Sequence, residues 1–258
     1  MTSIVYKPIG FTPLDLVKQF KIDNNITGKC AYAGRLDPMA HGKLVILHGD
    51  DLKKMDEITK KDKRYRFRMV LGISTDTTDI LGLIDNSLNP KLLMELTEEV
   101  IESVKLHAQS FNNLEYNQEY HQFSSMTIEI DGKKQPMWKM FSDKSIDKAT
   151  ITIPKKTVNI YELNLLNCYK MSSIELKSLI DTNLSQLTSE NFRLDDIKRC
   201  WNHYFSNFND FNQDIFYYVL EYDAFVSSGT YIRQLVKDIG LKSNLPTMVI
   251  EIYRYETL

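Results

Sequence analysis

Between Arg64 and Leu71 the sequence alternates without a break. Tyr65, Phe67, Met69 and Leu71 point one way, and Arg64, Arg66 and Arg68 the other. Alternation with period two specifies a strand with one apolar and one basic face. It also fixes register, because a slip of one residue would bury the arginines and expose the aromatics.

The flanking segments supply partners for that strand. Residues 4–8 are extended, and Thr12-Pro13-Leu14-Asp15 marks a helix start, with Thr12 as N-cap and Leu14, Val17 and Phe20 at helical spacing to about Lys21. Residues 30–42, bounded by glycines, read as a loop, and the apolar stretch 44–47 fits either helix or strand. A single helix is expected over 88–104 from the spacing of Leu92, Leu93, Leu96, Val100 and Ile101. Residues 125–130 alternate and end at Asp131-Gly132, a hairpin signal, and two strand-like runs flank Pro154. From 167 to 216 two helical patterns form an insertion between strands; Ser172 and Glu175 make a capping box at the first. A strand over 217–226, a helix over 231–240 ending at Gly240, and a closing strand over 248–255 complete the chain. The mixed order predicts one α+β domain built on a largely antiparallel mixed sheet flanked by helices.

Composition narrows the class. Of 258 residues, 43% are apolar and 26% charged, as in ordinary globular proteins, and 32 Lys+Arg face 34 Asp+Glu. A net charge of −2 argues against coating nucleic acid by bulk electrostatics, yet the charge is uneven. Between Lys53 and Arg68 the cations, Lys60, Lys61 and Arg64 among them, outnumber Asp56, Glu57 and Asp62, so this stretch and the basic strand face suit an RNA groove. Three scattered cysteines give no disulfide framework, and neither a membrane-length apolar run nor a secretory signal is visible. A reducing intracellular compartment such as the cytoplasm is the expectation.

Familiar catalytic patterns are missing. Cys200 and His203 lack two further zinc ligands, no Gly-rich phosphate loop or nucleophile elbow occurs, and Asp76 and Asp79 fit loop capping better than metal binding. No metal site is expected. Three segments remain: Ala33 to Gly42, which holds Asp37 in a Gly- and Pro-constrained loop; the strand carrying Tyr65; and Ser228 to Arg233, which sets an arginine in the first turn of a helix.

Five pieces in fixed order carry a resemblance: residues 6–12 (Tyr-Lys-Pro-Ile-Gly-Phe-Thr), 34–42 (Gly-Arg-Leu-Asp-Pro-Met-Ala-His-Gly), 62–68 (Asp-Lys-Arg-Tyr-Arg-Phe-Arg), 72–82 and 228–240. In this combination the chain resembles the TruB family of tRNA pseudouridine synthases. The resemblance implies the pseudouridine synthase fold and a cofactor-free isomerase that detaches uracil from ribose, turns it and rejoins it through C5. It implies Asp37 as the catalytic carboxylate, attacking the sugar or removing a sugar proton, with Arg233 as its ion-pair partner. Tyr65 would stack on the flipped base and help remove the C5 proton. Asp79 and Ile252 would line the base pocket, with Lys7, Tyr32, Arg35 and Tyr231 as further RNA contacts. The implied partner is the T-arm of tRNA, met by a monomer.

Departures from the family pattern shape the alternatives. Tyr32 stands where the family carries a histidine, Arg35 replaces a threonine, and the Pro-Pro and aromatic signal is worn down to residues 122–127. The resemblance places no C-terminal RNA-binding PUA domain after Arg254. The segment 167–216, which the resemblance does not explain, reads as a surface elaboration, with replacement of those RNA contacts as the alternative. The rivals are a tRNA-binding protein with impaired catalysis and an active synthase on another RNA hairpin.

Overall fold

The computed structural model describes residues 1–130, 132–143, 145–148, 151–187, 192–208 and 214–257; of residues 130 and 133 only the backbone is described. In chain order the strands are β1 (Thr2–Lys7), β2 (Cys30–Ala33), β3 (Ala40–His48), β4 (Lys63–Leu71), β5 (Ile73–Thr75), β6 (Ile84–Ser87), β7 (Leu114–Glu119), β8 (Thr127–Ile130), β9 (Lys133–Pro136), β10 (Lys155–Ser172), β11 (Phe216–Val226) and β12 (Thr247–Thr257). The helices are α1 (Pro13–Asp23), α2 (Met55–Thr59), α3 (Pro90–Met94), α4 (Glu98–Gln109), α5 (Met137–Ser142), α6 (Ser173–Ser185), α7 (Leu194–Ser206) and α8 (Ile232–Ser243).

Among the described residues, eight strands form one sheet in the order β1-β3-β12-β4-β11-β10-β7, with β2 also on β3. Every pairing is antiparallel except β3 with β12. The alternating strand β4 lies at its centre between β12 and β11. Tyr65, Phe67, Met69 and Leu71 are buried on the face covered by α1, α4 and α8, in the largest core cluster. Burying those side chains contributes roughly 1.5–3 kcal/mol each.

The opposite face is shared. Its inner part, with Val70, Val219, Met248 and Ile250, is covered by α6 and α7 through Leu176, Ile180, Ile197, Trp201 and Phe205. The connection between β10 and β11 therefore covers the inner part of one sheet face, and the expectation of a surface elaboration is corrected. Its outer part carries the β4 arginines, each facing acidic partners: Arg64 with Glu162, Asp223 and Glu256, Arg66 with Glu221, Arg68 with Glu251. The basic stripe predicted as an RNA floor is thus neutralised by carboxylates from neighbouring strands.

Several local expectations hold. Thr12 and Asp15 form a reciprocal capping box at α1, and Ser172 and Glu175 do the same at α6. β8 and β9 make the expected hairpin, with Gly132 at φ +74°; Asp131 lies outside the described residues.

Others are revised. Residues 30–33 form β2 rather than loop, because β12 pairs β3 only at residues 40–42 and β2 takes up residues 45–48. The helix expected over 88–104 is two, α3 and α4, because Thr97 turns extended and its hydroxyl accepts the Val100 N–H. Around Pro154 there is one long strand, β10; Pro154 lacks the N–H a ladder needs, and the strand continues through two register shifts to Ser172. Gly240 does not end α8. The terminator is Asn244, in the left-handed region at φ +51°, whereas at Gly240 a Cβ would stand 2.2 Å from Thr247 Oγ1.

Candidate active site

An open cleft of about 710 Å³ lies between the turn joining β2 to β3, the edge of β4 and β12, and the turn before α8. Asp37 occupies the first of these turns. Its loop is clamped from below: Gly10 N–H donates to Pro38 O at 2.9 Å, and Lys7 Nζ donates to the carbonyls of Pro8, Phe11 and Pro38. The loop ends at Gly42, φ +115°, where a Cβ would come 2.2 Å from Arg254 O on β12. Only glycine permits so close a crossing.

Arg233 enters from the first turn of α8. Its Nε donates to Asp37 Oδ2 at 2.7 Å, its Nη1 to Thr77 O at 3.0 Å, and Nη1 lies 3.5 Å from Asp79 Oδ2. The guanidinium is 6% exposed, whereas the Asp37 side chain is 32% exposed and lines the cleft. The arginine thus backs the carboxylate and leaves its outer side accessible. Burial alone would lower the Arg233 pKa, but the Asp37 and Asp79 carboxylates carry it above its ordinary value. Burial in turn pushes Asp79 up, opposed by Arg233 and by the Thr77 hydroxyl.

The loop that supplies Thr77 and Asp79 is heavily tied down. Asp79 Oδ1 accepts from Thr77 Oγ1 and Leu81 N–H, and Val249 N–H donates to Thr78 O, stitching the loop to β12. Thr78 sits in the left-handed region at φ +54°. His121 Nδ1 accepts the Phe123 N–H, so its proton sits on Nε2, which donates to Thr78 Oγ1 at 3.1 Å. Burial, with Arg233 and Lys237 nearby, holds this imidazole neutral. From the other side Arg193 grips Asp76 with two bonds, 2.8 and 3.1 Å, and Trp201 Nε1 donates to Ile80 O at 3.1 Å.

Tyr65 and Ile252, on neighbouring strands, line the same cleft as Asp37, with Tyr32 and Tyr231. Tyr120 meets Tyr231 edge-on at 5.7 Å. Gln118, buried on β7, holds the start of α8 by accepting the Tyr231 N–H and donating to Tyr231 O. The cleft thus sets aromatic rings beside the accessible Asp37 carboxylate, an arrangement suited to a planar ring.

A family model described as TruB family pseudouridylate synthase (N terminal domain) matches residues 20–186. The chain belongs to this family. Among relatives of the TruB chain, tRNA pseudouridine synthase B of Mycoplasmopsis pulmonis is 38% identical over 36% of this chain and 32% of its own length. The proteins of that name from Mesoplasma florum and Mycoplasma mobile are 32% identical over 63% and 26% identical over 95% of this chain. The matched part spans 51% and 64% of those two relatives' own lengths. A solved Cbf5-Nop10-Gar1 complex contains the same fold, with TM-score 0.54 at 15% identity over 99% of this chain and 48% of that one.

Of the residues singled out in this TruB sequence, Asp37, Tyr65, Tyr32, Arg35, Tyr231 and Ile252 converge on the cleft, with Arg233 directly behind Asp37. Lys60 and Lys61 are exposed beyond α2, next to Thr59 on the cleft rim. Three positions are corrected. Asp79 does not line the cleft; it lies behind Arg233, beside a void of about 10 Å³ that is too small for a base. Lys7 is fully buried with all three N–H groups donated to carbonyls, so it holds the Asp37 loop instead of touching RNA. Arg64 lies on the reverse face of β4, bidentate to Glu162 and over the Phe225 ring.

Sequence reasoning missed Lys63, Lys156, Arg254, Gln118, His121 and Arg193. For Lys63 a signal existed, because the period of two that places Tyr65 on the cleft side places Lys63 there as well. Among the described residues, no group of three or more His, Cys, Asp or Glu could hold a metal ion, and no helix is long and apolar enough to cross a membrane.

Proposed function

We propose that this chain isomerises uridine to pseudouridine in tRNA, at the uridine of the T-loop. The observation that carries the reading is the Asp37–Arg233 pair: the carboxylate faces the cleft, the guanidinium is sealed behind it, and Tyr65 lines the same cleft. Arg233, rigidly forked, holds Asp37 aimed through Oδ2 and leaves its outer oxygen free. A base stacked within RNA cannot bring its glycosidic bond to a carboxylate inside a cleft, so the target nucleotide flips into it.

The chemistry balances without a redox partner. The N1–C1′ bond breaks with Asp37 engaging the ribose, uracil turns, the C5–C1′ bond forms, C5 gives up its proton and N1 gains one. Substrate and product have the same composition. Tyr65 packs on the base and is placed to take part in the C5 proton transfer. Relatives bearing the name tRNA pseudouridine synthase B support tRNA as the substrate class.

The test is pseudouridine formation in an unmodified tRNA transcript, mapped by nucleotide, with wild type beside Asp37→Asn. Product at the T-loop uridine that vanishes in the variant supports both activity and residue. Tight binding without product anywhere would instead favour an RNA-binding protein that has lost catalysis.

A further inference from the structure

We propose that Lys63, Lys156 and Arg254 form a seat for one backbone phosphate of the RNA strand, beside the nucleotide that Asp37 engages. This deepens the reading above and rests on it for the identity of the ligand. All three cations line the cleft, and none has a carboxylate partner among the described residues. Elsewhere the pattern is different: the arginines of β4 each face at least one glutamate.

Two of the three are removed from solvent, Lys63 at 5% exposed and Arg254 at 1%, and charges buried without counter-ions are expensive. Their protein partners are carbonyls alone. Lys63 Nζ donates to Thr59 O and Lys61 O, leaving one N–H. Lys156 Nζ donates to Ser228 O, leaving two. Arg254 gives Nε to Lys43 O and one Nη1 hydrogen to Arg35 O, leaving the rest of its fork. Lys7 is the contrast, since its three donors are matched by three carbonyls.

The corner is built, not incidental. Thr59 O accepts both Lys63 Nζ and Ser228 Oγ, while Ser228 O accepts Lys156 Nζ, so the two ammonium groups share one hydrogen-bonded support. Two glycines border the corner. A Cβ on Gly34 would only touch Arg254 Nη1 and Lys63 Cε, at 3.6 and 3.7 Å, which puts these two cations side by side, whereas one on Gly229 would collide with Lys156 Nζ at 1.9 Å. Burial, with the neighbouring Arg254 and Lys156 cations adding to it and Asp62 opposing it, pulls the Lys63 pKa down to about 8. A phosphodiester between them relieves that repulsion and accepts several charge-assisted hydrogen bonds at once. Gly34 precedes Asp37 by three residues and both line the cleft, which sets the seat beside the group that Asp37 would engage.

The experiment measures affinity for an unmodified tRNA transcript over a range of salt, for wild type, Lys63→Met, Lys156→Met and Lys156→Arg. It is repeated with transcripts carrying one uncharged methylphosphonate linkage beside the target uridine. The expected result is a five- to tenfold loss of affinity and a salt slope smaller by about one in each Met variant. Lys156→Arg retains binding, and the neutral linkage weakens wild type without weakening Lys156→Met further. Half-buried Lys156 keeps the test valid even where Lys63→Met folds poorly. Wild-type binding with unchanged affinity and slope in Lys156→Met would overturn the seat alone. No binding by wild type would overturn the seat and the RNA reading together.

Discussion

Arg233 Nε lies 2.7 Å from Asp37 Oδ2, although 196 residues separate the two along the chain. Neither residue reaches the other through its own element. The pairing exists because α8 starts where β7 and the 75–83 loop hold it, and because the β2–β3 turn is pinned from below.

Arg233→Ala leaves the buried Asp79 and the cleft-facing Asp37 without their cation. The expected loss is about 3–5 kcal/mol of folding stability together with turnover. Denaturant unfolding monitored beside activity checks it. A loss below about 1 kcal/mol would show that water, not the guanidinium, holds Asp37 and Asp79.

Trp201→Ala removes a fully buried ring from the layer that α6 and α7 place on the sheet, and with it the bond to Ile80 O. The expected cost is about 3–5 kcal/mol, read as a shift in the unfolding midpoint. A near-neutral variant would return the 173–215 connection to the status of a surface elaboration.

Charge reversal separates the two sides of the sheet. Lys60→Glu with Lys61→Glu, on the cleft rim, should weaken RNA binding and reduce its salt slope by about one per lost phosphate contact. Arg64→Glu, on the reverse face among Glu162, Asp223 and Glu256, should lower stability while leaving the slope unchanged. Equal effects from the two changes would mean that RNA reaches both faces.

Lys7 predicts a pH dependence. Burial lowers its pKa from 10.5 to about 7, so between those values the unfolded chain binds the extra proton. Stability from this group is full above about pH 10.5 and falls away as pH drops toward 7. Lys7→Met should flatten the stability–pH curve across that window relative to wild type, whatever its effect on absolute stability. Parallel curves for the two proteins would place the Lys7 charge in a far more polar setting.

Local chemistry was enough to specify much of this chain. The period-two run in β4, the capping boxes at Thr12 and Ser172, and the strand ending in Val226 are decided by neighbours a few residues apart, so they are legible in the sequence. The ordered segments around Asp37, Tyr65 and Arg233 likewise marked the residues that meet in the cleft. What the linear chain could not decide was which charges would face one another. Arg64 and Lys63 are adjacent, yet pleating sends one to glutamates on the reverse face and the other into the cleft without a counter-ion. Lys7 and Asp79 became supports instead of contacts because the Asp37 loop folds over one and Arg233 covers the other. Burial and ion pairing depend on what distant strands bring alongside, and only the tertiary structure sets that.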